Sequence, residues 1–127
     1  KYDDISIGEE NFIVLRLAEM YLIRAEANAK AAAPDPTEIK ADLNRIRSRA
    51  GLSPVTTSNV TQLIAAIERE RRVEFAFEGH RWFDLTRTGR AQDVLPNVTN
   101  SNQILFPIPF DEIQTNNDPD MFQNPGY

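Results

Sequence analysis

The chain has 127 residues with a net charge of -5 and a pI near 4.9, a length at which one buried core is expected. An acidic balance argues against binding to nucleic-acid phosphates, which calls for excess Lys and Arg gathered on one face. Without cysteine there is neither a disulfide framework nor a thiolate metal site, and no apolar run approaches the roughly 20 residues of a membrane-spanning helix.

Residues 1–11 are polar without a sustained period and read as an irregular lead-in. The chain opens on Lys1, with neither a starting methionine nor an apolar signal segment, so a piece of a longer protein is expected. From Phe12 to Ala33, Leu15, Ala18, Tyr21, Leu22, Ala25 and Ala29 recur at helical spacing, while Leu17, Met20 and Ile23 widen the stripe toward a second face. Such a helix is expected to be covered on two sides. Pro34 and Pro36 end it, and Thr37, Ile39, Leu43, Ile46 and Ala50 mark a second helix stopped by Gly51. The short connection predicts an antiparallel helical hairpin.

A polar loop over Ser53 to Asn59 leads to a third helix from Val60 to Glu78, with Leu63, Ala66, Ile67, Val73 and Phe77 among its apolar positions. Gly79 is expected to break it, and a shorter helix from Arg81 to Thr88 to follow, closed by Gly89. After Asp93 the composition shifts to Asn and Pro. Proline removes a backbone donor and fixes φ, so Ile104 to Pro109 must be extended. That segment is expected to lie on the helices as a strap and insert Leu105, Phe106 and Ile108 into grooves. One or two helical turns over Asp111 to Asn116 and a loop to Tyr127 complete the chain. The expected fold class is all-α, with tetratricopeptide-like helical hairpins and an extended Pro-containing C-terminal strap, although no 34-residue self-repeat is visible.

The stretch Glu70 to Leu85, ERRVEFAFEGHRWFDL, concentrates the chemistry. Glu70, Glu74 and Glu78 fall at i, i+4, i+8 on one helix face, where like charges repel unless cations sit among them; Arg71, Arg72 and Arg81 are the expected neutralisers. A glycosidase would need two carboxyl groups about 5 to 10 Å apart across a substrate, one of them in surroundings that keep it protonated. An arginine-rich face opposes that, so the hydrolase reading on Glu70, Glu74, His80 and Asp84 gives way to a structural ion-pair network. His80 and Asp84 could share a metal at i, i+4, but no further His or Cys completes a site. His80 is therefore expected to donate to a carbonyl or carboxylate at the helix junction. Trp82, beside the Gly79 break, is read as packing against the first and third helices rather than as a platform for a sugar ring. Tyr21 is read as core. Asn59-Val-Thr61 and Asn97-Val-Thr99 match a glycosylation acceptor short enough to arise by chance.

Four motifs in order, LRLAEMYLIRAEANA (Leu15 to Ala29), the stretch at Glu70 to Leu85, ILFPIPFDEI (Ile104 to Ile113) and QNPGY (Gln123 to Tyr127), resemble the C-terminal region of the SusD/RagB family. The resemblance runs from about Phe12 to Tyr127. It implies that residues 1–127 are the C-terminal helical domain of a cell-surface lipoprotein of Bacteroidetes that binds nutrients, mostly glycans, and delivers them to a TonB-dependent outer-membrane transporter. It also implies that the lipid anchor lies in a part this chain lacks, that His80 to Leu85 is scaffold, that no cofactor or catalysis is involved, and that the ligand site is built largely elsewhere. The alternative from another class is a free-standing helical-repeat module that binds a protein or peptide in a groove. The LFPIP and NPGY segments favour the family, since a generic repeat array has no use for them.

Overall fold

The computed structural model describes residues 14–116 and 118–127; the lead-in and Phe12 lie outside them. Helices are α1 (Leu17–Ala29), α2 (Pro36–Arg49), α3 (Val60–Glu74), α4 (His80–Arg87), α5 (Ala91–Val94) and α6 (Phe110–Thr115), with a 3-10 turn at Ser101–Ile104. There is no strand among the described residues. The chain separates into two compact units, one ending at Ala76 and the other Phe77–Tyr127.

In the first unit the starts and stops follow local chemistry. Asp35 caps α2 through its carboxylate, which accepts from the Thr37 and Glu38 amides at 2.7 and 3.4 Å, and Pro36 takes the first helical turn, where no amide donor is missed. Asn59 caps α3 by accepting from the Gln62 amide at 3.1 Å. Gly51, at φ 70, adopts the left-handed conformation that lets the Leu52 amide donate back to the Arg47 carbonyl at 2.9 Å and close α2.

Helices α1 and α2 pack antiparallel, as the short connection predicts. Asn28 reaches Glu38 and Arg24 reaches Asp42, so partners ascend one helix as they descend the other. Helix α3 packs on both. Ala18, Leu22, Ala25 and Ala29 of α1 meet Ile39, Leu43 and Ile46 of α2 and Leu63, Ile67 and Phe75 at and beyond α3 to form the core. The alanines on α1 keep the backbones close, and the branched residues fill the space between.

Four boundaries differ from expectation. Helix α1 begins at Leu17, so Leu15, which is exposed, precedes the helix and does not join its buried stripe. Helix α1 ends at Ala29, before the alanine run, whose residues Ala31 to Ala33 are exposed and bury little to reward a further turn. Helix α3 stops at Glu74, not at Glu78. The chain leaves it through a turn in which Phe77 has φ 66 and is 92% exposed, and Gly79, at φ 81, is the residue before α4 rather than the breaker of α3. Helix α4 begins at His80 and runs to Arg87. The sequence reading also missed α5, a single turn.

In the second unit Leu85 and Ala91 are buried. The strap is extended from Leu105, as its prolines require, but Leu105 and Phe106 are 45% and 70% exposed and only Ile108 is half-buried. Ile104 belongs to the preceding 3-10 turn. The strap is held instead by polar side chains of the C-terminal tail. Gln123 accepts from the Ile108 amide at 2.8 Å and donates to its carbonyl at 2.9 Å; Asn124 donates to the Phe106 carbonyl at 2.6 Å; the Tyr127 hydroxyl donates to the Leu105 carbonyl at 2.9 Å. Proline-interrupted backbone cannot form a full ladder, so side-chain amides complete its hydrogen bonds.

Two substitutions separate core from surface. Leu43→Ala, at a fully buried position, is expected to cost about 2 to 5 kcal/mol in urea unfolding, whereas Asp35→Ala should cost about 1 kcal/mol through the lost cap. Gln123→Ala should raise hydrogen exchange at the Ile108 amide without moving exchange in α1, α2 and α3.

Candidate functional site

The carboxylates of α3 continue its buried stripe: Leu63, Ile67, Glu70 and Glu74 follow one another at spacings of 4, 3 and 4. Glu70 is 5% exposed, and a carboxylate in that position must be met by cations. They come from other elements. Arg47 of α2 donates from Nη1 to Glu70 Oε2 at 2.9 Å and from Nε to the Ser53 carbonyl at 2.9 Å. Glu74 Oε1 accepts from Arg49 Nη2 at 2.5 Å and from Arg16, just before α1, whose Nη1 also donates to the Glu74 carbonyl at 3.2 Å. The guanidinium groups of Arg16 and Arg71 lie 5.4 and 5.3 Å from the centre of the Phe75 ring, positions suited to cation–π attraction.

A second buried carboxylate sits on α2. Asp42, also 5% exposed, takes a two-pronged contact from Arg24, Nε to Oδ2 at 2.8 Å and Nη2 to Oδ1 at 2.5 Å. Hydrogen bonding to Asp42, then its charge, raises the Arg24 pKa above its usual value. Arg24 also lies 5.5 Å over the Tyr21 ring. None of Arg16, Arg24, Asp42, Arg47 and Arg49 was picked out from sequence. Asp42 carried a signal, being charged within the stripe Ile39, Leu43, Ile46; the arginines carried none, because partners 18 to 58 positions away become neighbours only when the helices pack.

Of the residues singled out in the sequence, Glu70, Arg71 and Glu74 lie together in the first unit. Arg72 is exposed on the opposite side of α3. Glu78 is half-buried in the turn after α3, and His80 and Arg81 are half-buried in the first turn of α4. Asp84 pairs with Arg87 one turn on at 2.8 Å. Trp82 is half-buried, not enclosed, and its ring lies 6.1 Å from that of Phe106 at a tilt of 55°. Among the described residues no three His, Cys, Asp or Glu gather to hold a metal ion.

A cleft of about 220 Å³ opens along the α1–α2 seam, lined by Leu17, Ala18, Tyr21, Arg45, Ile46 and Arg49. None of Glu70, Glu74, His80 and Asp84 lines it. Glu70 Oε2 and Glu74 Oε1 each accept from arginines that other segments bring, Arg47 and Arg49 from α2 and Arg16 from the approach to α1.

Comparison with known proteins bears on this arrangement. The sequence model described as the SusD family matches residues 1–104. SusD-like protein P38 of Formosa agariphila is 32% identical over 96% of this chain and 26% of its own length; SusD-like protein P2 of the same organism is 34% identical over 92% of this chain and 26% of its own. The crystal structure of a SusD-like protein from Bacteroides fragilis superposes with a TM-score of 0.78 at 34% identity, covering 92% of this chain and 26% of that one. The chain thus spans about a quarter of the length of the relatives it matches.

Glu70→Ala, which strands Arg47, is expected to destabilise by about 3 kcal/mol, and Asp84→Ala, beside a half-exposed Arg87, by about 1 kcal/mol or less. Parallel urea titrations of the two variants check the difference. A double-mutant cycle on Trp82→Ala and Phe106→Ala should give a coupling of about 0.5 to 1.5 kcal/mol.

Proposed function

This chain belongs to the SusD family, and from that membership we propose that it is the C-terminal helical part of a cell-surface lipoprotein that binds nutrients, glycans in particular, and passes them to a TonB-dependent outer-membrane transporter. The observation that carries the reading is the 32% identity sustained over 96% of the chain with a SusD-like relative. The helical-hairpin fold, superposing on a SusD-like structure from Bacteroides fragilis, supports it. No helix among the described residues is long and apolar enough to cross a membrane.

The reading assigns this part a binding protein's scaffold and no catalytic step. Glu70, Arg71, Arg72, Glu74, Glu78, His80, Arg81, Trp82 and Asp84 are proposed as structural residues, with Glu70 and Glu74 as the interhelical members. Tyr21 lies under the Arg24 guanidinium and Trp82 against Phe106, and the ligand site is proposed to lie in other parts of the protein. The helical hairpin by itself also suits a free-standing interaction module. What favours the family reading over it is the strap, whose backbone is hydrogen-bonded by Gln123, Asn124 and Tyr127 of the QNPGY motif.

The test is calorimetry of the full-length protein and of residues 1–127 against one oligosaccharide panel, with pull-down of the full-length protein from outer-membrane extracts. Binding by the full-length protein alone, and recovery of a barrel transporter, is the expected result. Tight binding by residues 1–127 would move the site into this chain, recovery of no barrel protein would remove the transport role, and release of reducing sugar lost on Glu70→Gln would restore the hydrolase.

A further inference from the structure

The C-terminal tail meets the strap through side chains that reach far along the sequence. Gln123 binds Ile108, Asn124 binds Phe106 and Tyr127 binds Leu105, so the tail runs antiparallel to the strap and grips it at three successive places. Pro107 and Pro109 have no amide, which leaves the strap too few donors to be held by a neighbouring strand. Apolar burial adds little, since Phe106, Phe110, Phe122 and Tyr127 are all more than half exposed. Two features make the bonds depend on one another. Partners stand 15 to 22 positions apart, so the first bond to form bears the entropy of closing the loop that contains α6, and the others then form with little further loss of chain freedom. Gln123 Oε1 also serves both segments at once, accepting from the Ile108 amide at 2.8 Å and from the Asn124 amide at 3.0 Å. When that side chain leaves the strap, the turn that aims Asn124 at Phe106 loses its hold as well.

We propose that strap and tail form a clasp that opens and closes as one unit, releasing residues 105–127 together while α4 and α5 stay folded. A segment that buries little and is fixed by few bonds opens at a lower free energy than a packed core, and Leu85 and Ala91, buried in α4 and α5, lie outside the clasp. Opening takes Phe106 away from Trp82, whose ring lies 6.1 Å from it in the closed state, and uncovers that side of the indole. The second unit thus carries a releasable segment whose position is set by three tail side chains.

Hydrogen exchange of the full-length protein, resolved to the single amides of Ile108 and Asn124, tests the clasp. Both amides should be protected and should exchange through the same opening. Tyr127→Phe removes one bond, from the hydroxyl to the Leu105 carbonyl, and touches neither reporter. It should nonetheless speed exchange at both by one common factor of about two to twelve, the effect of losing a single hydrogen bond, and leave unmoved the Leu95 amide, which donates to the Ala91 carbonyl across α5. Asn124→Ala, which removes the bond to the Phe106 carbonyl, should speed Ile108 by a similar factor. Unequal factors at the two reporters under Tyr127→Phe, or no change at Ile108 under either variant, would show that the bonds open singly and overturn the proposal. Native exchange at the unprotected rate, or a Leu95 amide accelerated as much as the reporters, would overturn it too.

Discussion

Burial of two glutamates on α3 is the constraint from which the arrangement of the first unit follows. Glu70 and Glu74 extend the stripe begun by Leu63 and Ile67, so when that stripe turns inward the carboxylates go with it. Removing an ionised carboxylate from water costs several kcal/mol unless donors replace the lost hydration. Arg47 and Arg49 from the end of α2, and Arg16 from the approach to α1, supply them. An ion pair of this sort adds little net stability over an apolar contact, but it penalises any register in which the arginines miss their partners. The helices are thereby fixed in rotation and height, which apolar packing alone specifies less sharply.

The same logic bears on the carboxylates that the sequence sets at i, i+4 on α3. Acid–base chemistry needs a carboxyl group with space beside it and no permanent counter-charge on its oxygens. Here Glu70 Oε2 and Glu74 Oε1 face guanidinium groups, and the cleft between α1 and α2, lined by Leu17, Ala18 and Ile46 among others, includes neither glutamate.

In the second unit, order comes from hydrogen bonds more than from buried area. Leu85 and Ala91 are enclosed, but the strap exposes Leu105 and Phe106. Side chains of Gln123, Asn124 and Tyr127 bind its carbonyls and the Ile108 amide, acting where a neighbouring strand would act in a sheet. Gly126, at φ 96, lets the tail pass close to Asn102, where a Cβ would come within 3.2 Å of the Asn102 Cβ. The QNPGY motif is therefore a fastening for LFPIP, and the two motifs form one device.

Periodicity and local caps are encoded by residues close in sequence, and for that reason the chain alone determined the all-α class, the hairpin of α1 and α2, the stop at Gly51, the extended strap and the doubled apolar face of α1. The order of its motifs also determined the family. Tertiary structure decided what depends on distant partners. It chose Arg16, Arg47 and Arg49 over Arg72 for the glutamates, because helix packing and not sequence proximity brings charges within reach. It ended α3 at Glu74, where Phe75 turns into the core and Phe77 takes a left-handed conformation. It left Trp82 half-buried against Phe106, since an aromatic residue near a helix break packs on whatever the chain returns to that place, and nothing local to residue 82 says that the strap is what returns.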